Sequence, residues 1–410
     1  MSVPYATHVS PDKVIRDLIA SERVRRAFRF FEEQSESIND EHARICCVPA
    51  PPFGESERAE YLRAKLFECK LSEARLDAEG NCVALRRGRD ERPLLVVSAH
   101  LDTVFPAGTD CTVRRDAAGR MRAPGVADDG CGLAALIALA RALEEYGIET
   151  HGSLLFVGTV GEEGEGDLRG VRHLLTAGEW AGRVDAFISL DGPGLERVTN
   201  AALASRRYRA TCRGAGGHSW GDFGVPNPVH ALGRAVARLA AYPAPKQPRT
   251  TFNVGRIEGG CGVNVIPREA SMDVDLRSES AEELARLDAF FRRAAREAAE
   301  DENASRRAGT PPLELDVRLI GDRPGGETSA EQPLVRLTLE ATNSVGAKPF
   351  LDCSSTDSNI AISRGLPAVT IGAGGACGNT HTLDEWYDPR GRDLGLKRAL
   401  LVALGMVGLA

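Results

Sequence analysis

The chain has 410 residues, of which 42% are hydrophobic, and it carries a formal net charge of −7. Such a length predicts two or three domains. The modest negative charge, without a basic patch, argues against a nucleic-acid-binding protein. No run of about 18 apolar residues occurs, so no membrane span is expected.

The amino-terminal sequence lacks the basic and apolar segments of a secretory signal. The ten cysteines form no C-x-x-C pair, which is typical of reduced thiols in a chain without such a signal. We therefore expect a cytoplasmic protein. Helical stretches are predicted around Asp12 to Glu33 and around Glu55 to Cys69, on either side of a Pro-rich turn, and should cover one face of a main sheet.

The first buried strand is predicted at LLVVSAH, which ends in His100 and is followed by Asp102. In open α/β sheets, functional groups collect just past the carboxyl ends of parallel strands. Two residues apart on an extended backbone, the two side chains point the same way, so one can bind a metal while the other orients it. By itself the pair is also compatible with a structural hydrogen bond.

Polar residues of the same class follow at further points along the chain. Asp128 and Asp129 lie in GVADDGCG, at the start of an apolar helix, where an Asp can also serve only as an N-cap. Predicted buried strands are followed by Glu162 and Glu163 and by Asp191, and the strand-like LPAVTIGAGG leads to a histidine. The full set of strand-end candidates is His100, Asp128, Glu162, Glu163, Asp191 and His381.

Clustered carboxylates repel one another at low dielectric, so a cation is expected among them. Two histidines and several carboxylates without a thiolate motif suit Zn²⁺, with Co²⁺ or Mn²⁺ as other options. A shared carboxylate can bridge two ions about 3.5–4 Å apart, as in hydrolytic two-metal sites. The sequence therefore predicts a pair of divalent metals.

The middle of the chain has a different pattern. The strands YRATC, TFNVGRI and SMDVDLR alternate polar and apolar residues, which indicates an antiparallel sheet with one wet face. With two helices they are interpreted as part of a β-α-β-β-α-β order. The predicted fold class is α/β: a catalytic domain with a mixed, mostly parallel sheet flanked by helices (residues 1–201 and 323–410), split by an inserted α+β domain (residues 202–322).

The motifs HLD, GVADD, GEEG, SLDG, GGHSW, GVNVIP, DLRS, SSTDSN and HTLDEW occur in this order between Leu94 and Trp386. In this respect the sequence resembles the di-zinc metallopeptidases and deacylases that include carboxypeptidase G, peptidase T, acetylornithine deacetylase and succinyl-diaminopimelate desuccinylase. The resemblance implies a hydrolase with two zinc ions per subunit.

The resemblance also assigns roles. One zinc is held by His100, Asp128 and Asp191, and the other by Asp128, Glu163 and His381, so that Asp128 is the bridge. The peptide bond from Asp128 to the next residue is expected to be cis. Glu162 is then left to act as general base on a water that bridges the metals, and afterwards as general acid. Asp102 is expected to accept a hydrogen bond from the His100 ring.

For the inserted domain, the resemblance implies a lid that also forms a homodimer. His218 is expected to stabilise the oxyanion, commonly from the partner subunit, although a histidine in a Gly-rich loop is otherwise an ordinary loop residue. Asn264 and Arg277 correspond to positions that bind the substrate backbone or carboxylate, for which the planar guanidinium is well suited. A turn Asn and a surface Arg are the alternative interpretations.

A serine hydrolase is a competing interpretation. GHSWG fits the G-x-S-x-G motif around Ser219, and Asp357 and His381 follow in the required order. That motif needs a helix directly after the serine, whereas two prolines and two glycines follow here. A catalytically silent binding protein with this fold is disfavoured because every predicted metal and base position is present.

The sequence says less about the substrate, which is expected to be a small peptide or an N-acyl amino acid. Peptidases of the family tend to have Asp at the position of Asp191, whereas desuccinylases and aminoacylases tend to have Glu. We therefore predict an amino-, carboxy- or di/tripeptidase, with an N-acyl amino acid deacylase as the alternative. Gly130, where the family often has Lys, and the extra acidic residue Glu165 depart from the family pattern.

Overall fold

The structure, a computed structural model, describes residues 10–71 and 73–410. Residues 1–9 of the predicted catalytic domain lie outside the described residues. The helices are, in chain order, α1 (Pro11–Ala20), α2 (Glu22–Glu33), α3 (Ser35–Cys46), α4 (Ser56–Glu68), α5 (Gly130–Glu145), α6 (Arg169–Thr176), α7 (Pro228–Ala240), α8 (Ala281–Ala304), α9 (Pro333–Ser344), α10 (Ser358–Ser363) and α11 (Arg392–Val407).

The strands fall into one large sheet and several small ones. They are β1 (Arg75–Leu76), β2 (Cys82–Arg86), β3 (Leu94–His100), β4 (Arg114–Arg115), β5 (Met121–Arg122), β6 (Ser153–Thr159), β7 (Ala186–Leu190), β8 (Arg197–Ala202), β9 (Ala204–Arg213), β10 (Gly217–His218), β11 (Thr250–Gly259), β12 (Val265–Ile266), β13 (Glu269–Ser278), β14 (Glu314–Arg323), β15 (Gly326–Glu327), β16 (Phe350–Ser354), β17 (Ala368–Ile371), β18 (Ala376–Gly378) and β19 (Trp386–Asp388).

The chain divides into two compact units. The first comprises Met1–Ala202 and Glu327–Ala410, and the second comprises Leu203–Gly326. The first unit contains the large sheet, in the order β1-β2-β6-β3-β7-β17-β8-β15, with β16 paired to β8. A small antiparallel sheet in the same unit has the order β18-β19-β5-β4.

The large sheet is mixed, and its central strands are parallel. β3 runs parallel to both β6 and β7, and β17 runs parallel to β7. Antiparallel pairs lie further out, where β2 pairs with β6 and β8 with β17. The predicted mixed, mostly parallel sheet is therefore confirmed.

Helices cover both faces of the central strands, which explains why these strands are continuously apolar. In β3, Val97 packs into a cluster that includes residues of α5 and α11, whereas its neighbour Val96 packs into a cluster that includes residues of α6 and α10. The sequence of α5 is apolar on nearly all sides, and almost all of its residues are buried. The strand β3 is buried along its whole length.

The amino-terminal helices differ from the prediction in two respects. The predicted helical stretch from Asp12 to Glu33 is interrupted at Ser21, whose backbone is extended. The helix α3 was not predicted, because its sequence SESINDEHARIC has only a sparse apolar stripe of Ile38 and Ile45.

Among the described residues, no helix combines the length and apolarity that crossing a bilayer requires.

In the second unit, the strands form an antiparallel sheet in the order β11-β13-β9-β14. Together with α7 and α8, they follow the chain order β-α-β-β-α-β that the alternating pattern predicts. Tyr208, Met272 and Phe291 lie in the core that forms between this sheet and the two helices. Strands β10 and β12 form a short separate ladder.

Candidate metal centre

The predicted metal ligands lie at one edge of the large sheet. His100 is the last residue of β3, Glu163 follows β6, and Asp191 follows β7. Because β3 is parallel to β6 and β7, the three carboxyl ends lie side by side. Asp128 comes from the loop before α5, and His381 from the turn between β18 and β19.

Asp128 contacts both histidines, one with each carboxylate oxygen. Its Oδ1 lies 2.8 Å from Nε2 of His100, and its Oδ2 lies 3.0 Å from Nε2 of His381. The same His381 nitrogen lies 2.9 Å from Oε1 of Glu163. All five predicted ligands are therefore brought together, in two groups that share Asp128: His100 with Asp128 and Asp191, and Asp128 with Glu163 and His381.

Within each group, the nitrogen and oxygen atoms that can bind a metal all lie within 4.8 Å of one another. Such clustering is electrostatically unfavourable without a cation. Burial and the neighbouring Asp128 carboxylate raise the pKa of Asp191 to about 7. Hydrogen bonds to Asp128 and Glu163 raise the pKa of His381 to about 10. Divalent cations would replace these protons, and imidazoles with carboxylates suit them. The residues thus fit two metal ions with Asp128 between them.

Glu162, the predicted general base, lies beside this cluster. It is 6% exposed, and its carboxylate forms a third group of potential ligand atoms with His100 and Glu163. The Glu162 carboxylate is therefore close enough to act on a molecule bound at the metal centre.

Asp102 is fully buried, and its contacts differ in detail from the prediction. Nδ1 of His100 lies 3.0 Å from the backbone carbonyl oxygen of Asp102 and 3.6 Å from its carboxylate. The carboxylate instead accepts hydrogen bonds from the backbone N–H groups of Glu162 (2.9 Å) and Glu163 (2.7 Å). Asp102 thus orients the His100 ring chiefly through its backbone, and its side chain holds the loop that carries Glu162 and Glu163.

Asp129, for which an N-cap was one of the interpretations, makes further contacts. It accepts a hydrogen bond from Gly132 at the start of α5, as a cap does, and further ones from the backbone N–H groups of His100 and Gly192. It therefore joins the segments that carry three of the predicted ligands, His100, Asp128 and Asp191. The peptide bond between Asp128 and Asp129 is cis, as the resemblance implies.

Glu385 also supports the site, although its role was not predicted from the sequence. Its carboxylate accepts hydrogen bonds from the backbone N–H groups of Gly125, Ala127 and Asp128. For both Asp129 and Glu385, the only signal in the sequence was an acidic residue within a ligand-bearing motif. A carboxylate that binds backbone amides needs no partner side chain, so no spacing pattern reveals it.

The other predicted site residues lie in the second unit. His218 is exposed in β10, where its Nδ1 accepts hydrogen bonds from the backbone N–H groups of Trp220 and Gly221. The backbone of Asn264 accepts a hydrogen bond from Ser219, so His218 and Asn264 lie on neighbouring segments. Arg277 lies in β13 and donates a hydrogen bond to Asp275 at 2.6 Å.

Ser219 does not have the surroundings of a serine-hydrolase nucleophile. It follows the two-residue strand β10, turns come next, and α7 begins only at Pro228. His381, the proposed partner histidine, instead directs its Nε2 at Asp128 and Glu163. Neither the local backbone nor the histidine supports that interpretation.

An α/β sheet that gathers two imidazoles and two further carboxylates around one shared carboxylate defines a metal-dependent hydrolase of the two-metal class. The sequence model of peptidase family M20/M25/M40 matches residues 96–403, so the chain belongs to this family. It is accordingly a hydrolase that acts on peptide or amide bonds.

Relatives and solved structures agree with this membership. The chain is 27% identical to the uncharacterized protein YqjE of Bacillus subtilis over 353 residues, 83% of this chain and 87% of that protein. It is 31% identical to succinyl-diaminopimelate desuccinylase of Leptothrix cholodnii over 228 residues, 50% of this chain and 57% of that protein. The fold is similar to that of aminopeptidase PepT from Bacillus cereus, with a TM-score of 0.71 and 21% identity, over 91% of this chain and 98% of PepT.

Proposed function

We propose that this protein is a zinc-dependent peptidase that hydrolyses small peptides, with Glu162 as general base. The observation that carries the proposal is the Asp128 carboxylate, whose two oxygens face His100 and His381 at 2.8 and 3.0 Å. A carboxylate whose two oxygens face two different histidines is better placed to bridge two metal ions than to pair with either histidine alone.

The proposed ligands would divide between two metals as the resemblance implies. His100, Asp128 and Asp191 would hold one ion, and Asp128, Glu163 and His381 the other. The donor set of imidazole nitrogens and carboxylate oxygens favours zinc, and cobalt or manganese could take its place. When bound, the two ions would activate water and polarise the carbonyl of the scissile amide.

Glu162 would transfer a proton from the attacking water to the leaving amine. Its buried carboxylate takes a proton from the attacking water and then gives it to the amine that leaves. The hydrogen bond from its backbone N–H to Asp102 fixes the start of its side chain. Asp102 therefore supports catalysis without touching the reacting atoms.

Residues of the second unit complete the proposal. His218 would stabilise the oxyanion, with Nδ1 occupied by two backbone N–H groups and the proton on Nε2 able to donate. Asn264 and Arg277 would bind the substrate backbone or carboxylate.

We also propose that the second unit forms a homodimer, which sedimentation equilibrium of the full chain would test.

An N-acyl amino acid deacylase is the second candidate, and the similarity to succinyl-diaminopimelate desuccinylases favours it. We prefer the peptidase because Asp, rather than Glu, occupies position 191. The similarity to aminopeptidase PepT concerns the fold alone.

A substrate screen would separate the two candidates. The protein is loaded with zinc or cobalt and assayed against di- and tripeptides and against N-acetyl and N-succinyl amino acids, with Glu162→Gln as the matched inactive control. We expect cleavage of peptides that is lost in the control. Cleavage confined to acyl substrates would show that the protein is a deacylase rather than a peptidase.

A further inference from the structure

The loop that carries Asp128 is held by a residue that is not a metal ligand. Glu385 is fully buried, and its Oε1 accepts hydrogen bonds from the backbone N–H groups of Ala127 (2.7 Å) and Asp128 (3.1 Å). Its Oε2 accepts a hydrogen bond from the N–H of Gly125 at 3.2 Å. Three of the four amides from Gly125 to Asp128 thus converge on one carboxylate.

Glu385 is itself fixed by its backbone. Its carbonyl oxygen accepts a hydrogen bond from the N–H of Ala123 at 3.2 Å, and the next residue, Trp386, pairs with Arg122 in the β19–β5 ladder. Glu385 also lies only four residues after the ligand His381. The short segment 381–385 therefore supplies both the proposed ligand His381 and Glu385, which anchors the loop of Asp128.

A second anchor comes from α3. Nε2 of His42 lies 2.6 Å from the carbonyl oxygen of Val126, and Nδ1 lies 2.6 Å from Nη2 of Arg392. Because a guanidinium can only donate, Nδ1 is the acceptor and the proton of the neutral ring is on Nε2. The ring therefore donates to Val126, and the His42 side chain is fully buried.

Together, the two anchors fix every residue of the Gly125–Asp128 segment through its backbone. A ligand whose position is fixed before the metal binds loses little conformational freedom on binding, so its loop should matter for metal affinity as well as for folding. A purely structural loop of four residues needs no buried carboxylate to satisfy its amides, since a backbone turn or water can do so.

We propose that Glu385 and His42 are positioning residues of the metal centre, which keep the Asp128 carboxylate where two ions can share it. The inference rests on the proposed function, because it presupposes that the centre binds metal.

The test is a cobalt titration of the metal-free protein, followed by the visible absorption of bound Co²⁺. We expect Glu385→Gln to weaken cobalt binding about 10- to 100-fold, because the amide group places a donor opposite one of the three N–H groups. Asp388→Asn is the matched control. Asp388 is a similarly buried carboxylate of β19, but it accepts hydrogen bonds from Arg390.

The kinetic readout separates positioning from folding. At saturating cobalt, we expect Glu385→Gln to recover most of its kcat with an unchanged KM, since the substrate contacts are untouched. If Glu385→Gln binds cobalt as tightly as the wild-type protein and only its unfolding midpoint falls, the residue is structural and the proposal is overturned.

His42 provides a second test, which also serves if the Glu385 variant does not fold. Gln can present an amide N–H close to the position of Nε2, whereas Ala cannot. We therefore expect His42→Ala to weaken cobalt binding and His42→Gln to restore it. Unchanged affinity in His42→Ala would contradict the proposal. Absence of cobalt binding by the wild-type protein would instead refute the proposed function.

Discussion

The backbone N–H of Glu163 donates a hydrogen bond of 2.7 Å to the carboxylate of Asp102. The other oxygen of this carboxylate accepts the N–H of Glu162 at 2.9 Å. Asp102 lies two residues after His100. The loop of Glu163, a proposed ligand, and of Glu162, the proposed general base, is therefore held by the strand end that carries the proposed ligand His100. The buried side chain of Asp102 thus ties the two loops together, beside the backbone hydrogen bond from Leu101 to Thr159.

We expect Asp102→Asn to lower kcat about 10- to 100-fold, because the amide nitrogen would face one of the two N–H donors and displace the loop. Steady-state kinetics at saturating metal measures this loss. Asp185→Asn is the matched control, since Asp185 also accepts a backbone N–H, that of Leu94, but at the opposite end of β3. An equal loss in both variants would mean that the effect is one of general stability.

Glu162→Gln should keep both metals and lose about 10²- to 10⁴-fold in kcat, the range for loss of a general base. Metal content is measured by elemental analysis and turnover on the best peptide of the screen. Glu165→Gln, an exposed neighbour in the same loop, serves as the control and should keep its activity. Near-normal turnover of a metal-replete Glu162→Gln protein would remove Glu162 from the mechanism.

His381→Ala should lower the bound metal from two ions to one, because His381 belongs to only one of the two ligand groups. His100, Asp128 and Asp191 remain for the other ion. Elemental analysis after dialysis measures the stoichiometry, and His173→Ala, a histidine outside both groups, is the control. Retention of two tightly bound ions would show that the ligands are divided differently.

Removal of the metals should abolish activity and also destabilise the fold, since the carboxylates would then repel one another. An ion present at about 100 times its Kd contributes about 2.7 kcal/mol to the free energy of unfolding. Thermal unfolding with and without a chelator measures the difference, and re-addition of zinc should reverse it. An unchanged unfolding temperature in a demonstrably metal-free sample would argue against this account of the cluster.

Ser219→Ala should retain activity, because Ser219 lacks the helix that a nucleophile motif requires. The assay is turnover of the same peptide, with Glu162→Gln as the inactive reference. Loss of activity in Ser219→Ala together with full activity after exhaustive chelation would revive the serine-hydrolase interpretation.

The sequence predicted the large sheet and the placement of the ligands because both follow from simple rules. Continuously apolar strands predict a sheet buried on both faces, and the ends of parallel strands share an edge, so His100, Glu163 and Asp191 were expected to meet. The alternation in SMDVDLR likewise predicted the antiparallel sheet of the second unit.

The anchors behind the ligands were not predictable in this way. Asp129, Glu385 and His42 bind backbone groups, and any residue supplies a backbone N–H or C=O, so no residue pattern marks the partner. The finer geometry of Asp102 was missed for the same reason. The side-chain acceptor expected for His100 turned out to be a backbone carbonyl, because two amides compete for the carboxylate.

Strands β8 and β15, through which the chain leaves and re-enters the first unit, are neighbours in the large sheet. Asn200 and Thr328 join them by two hydrogen bonds of 2.8 Å, one from the Thr328 N–H to the Asn200 carbonyl and one from the Asn200 side chain to the Thr328 carbonyl. The two ends of the intervening segment therefore lie side by side, so a short linker between β8 and β15 would leave the strand order of the first unit unchanged.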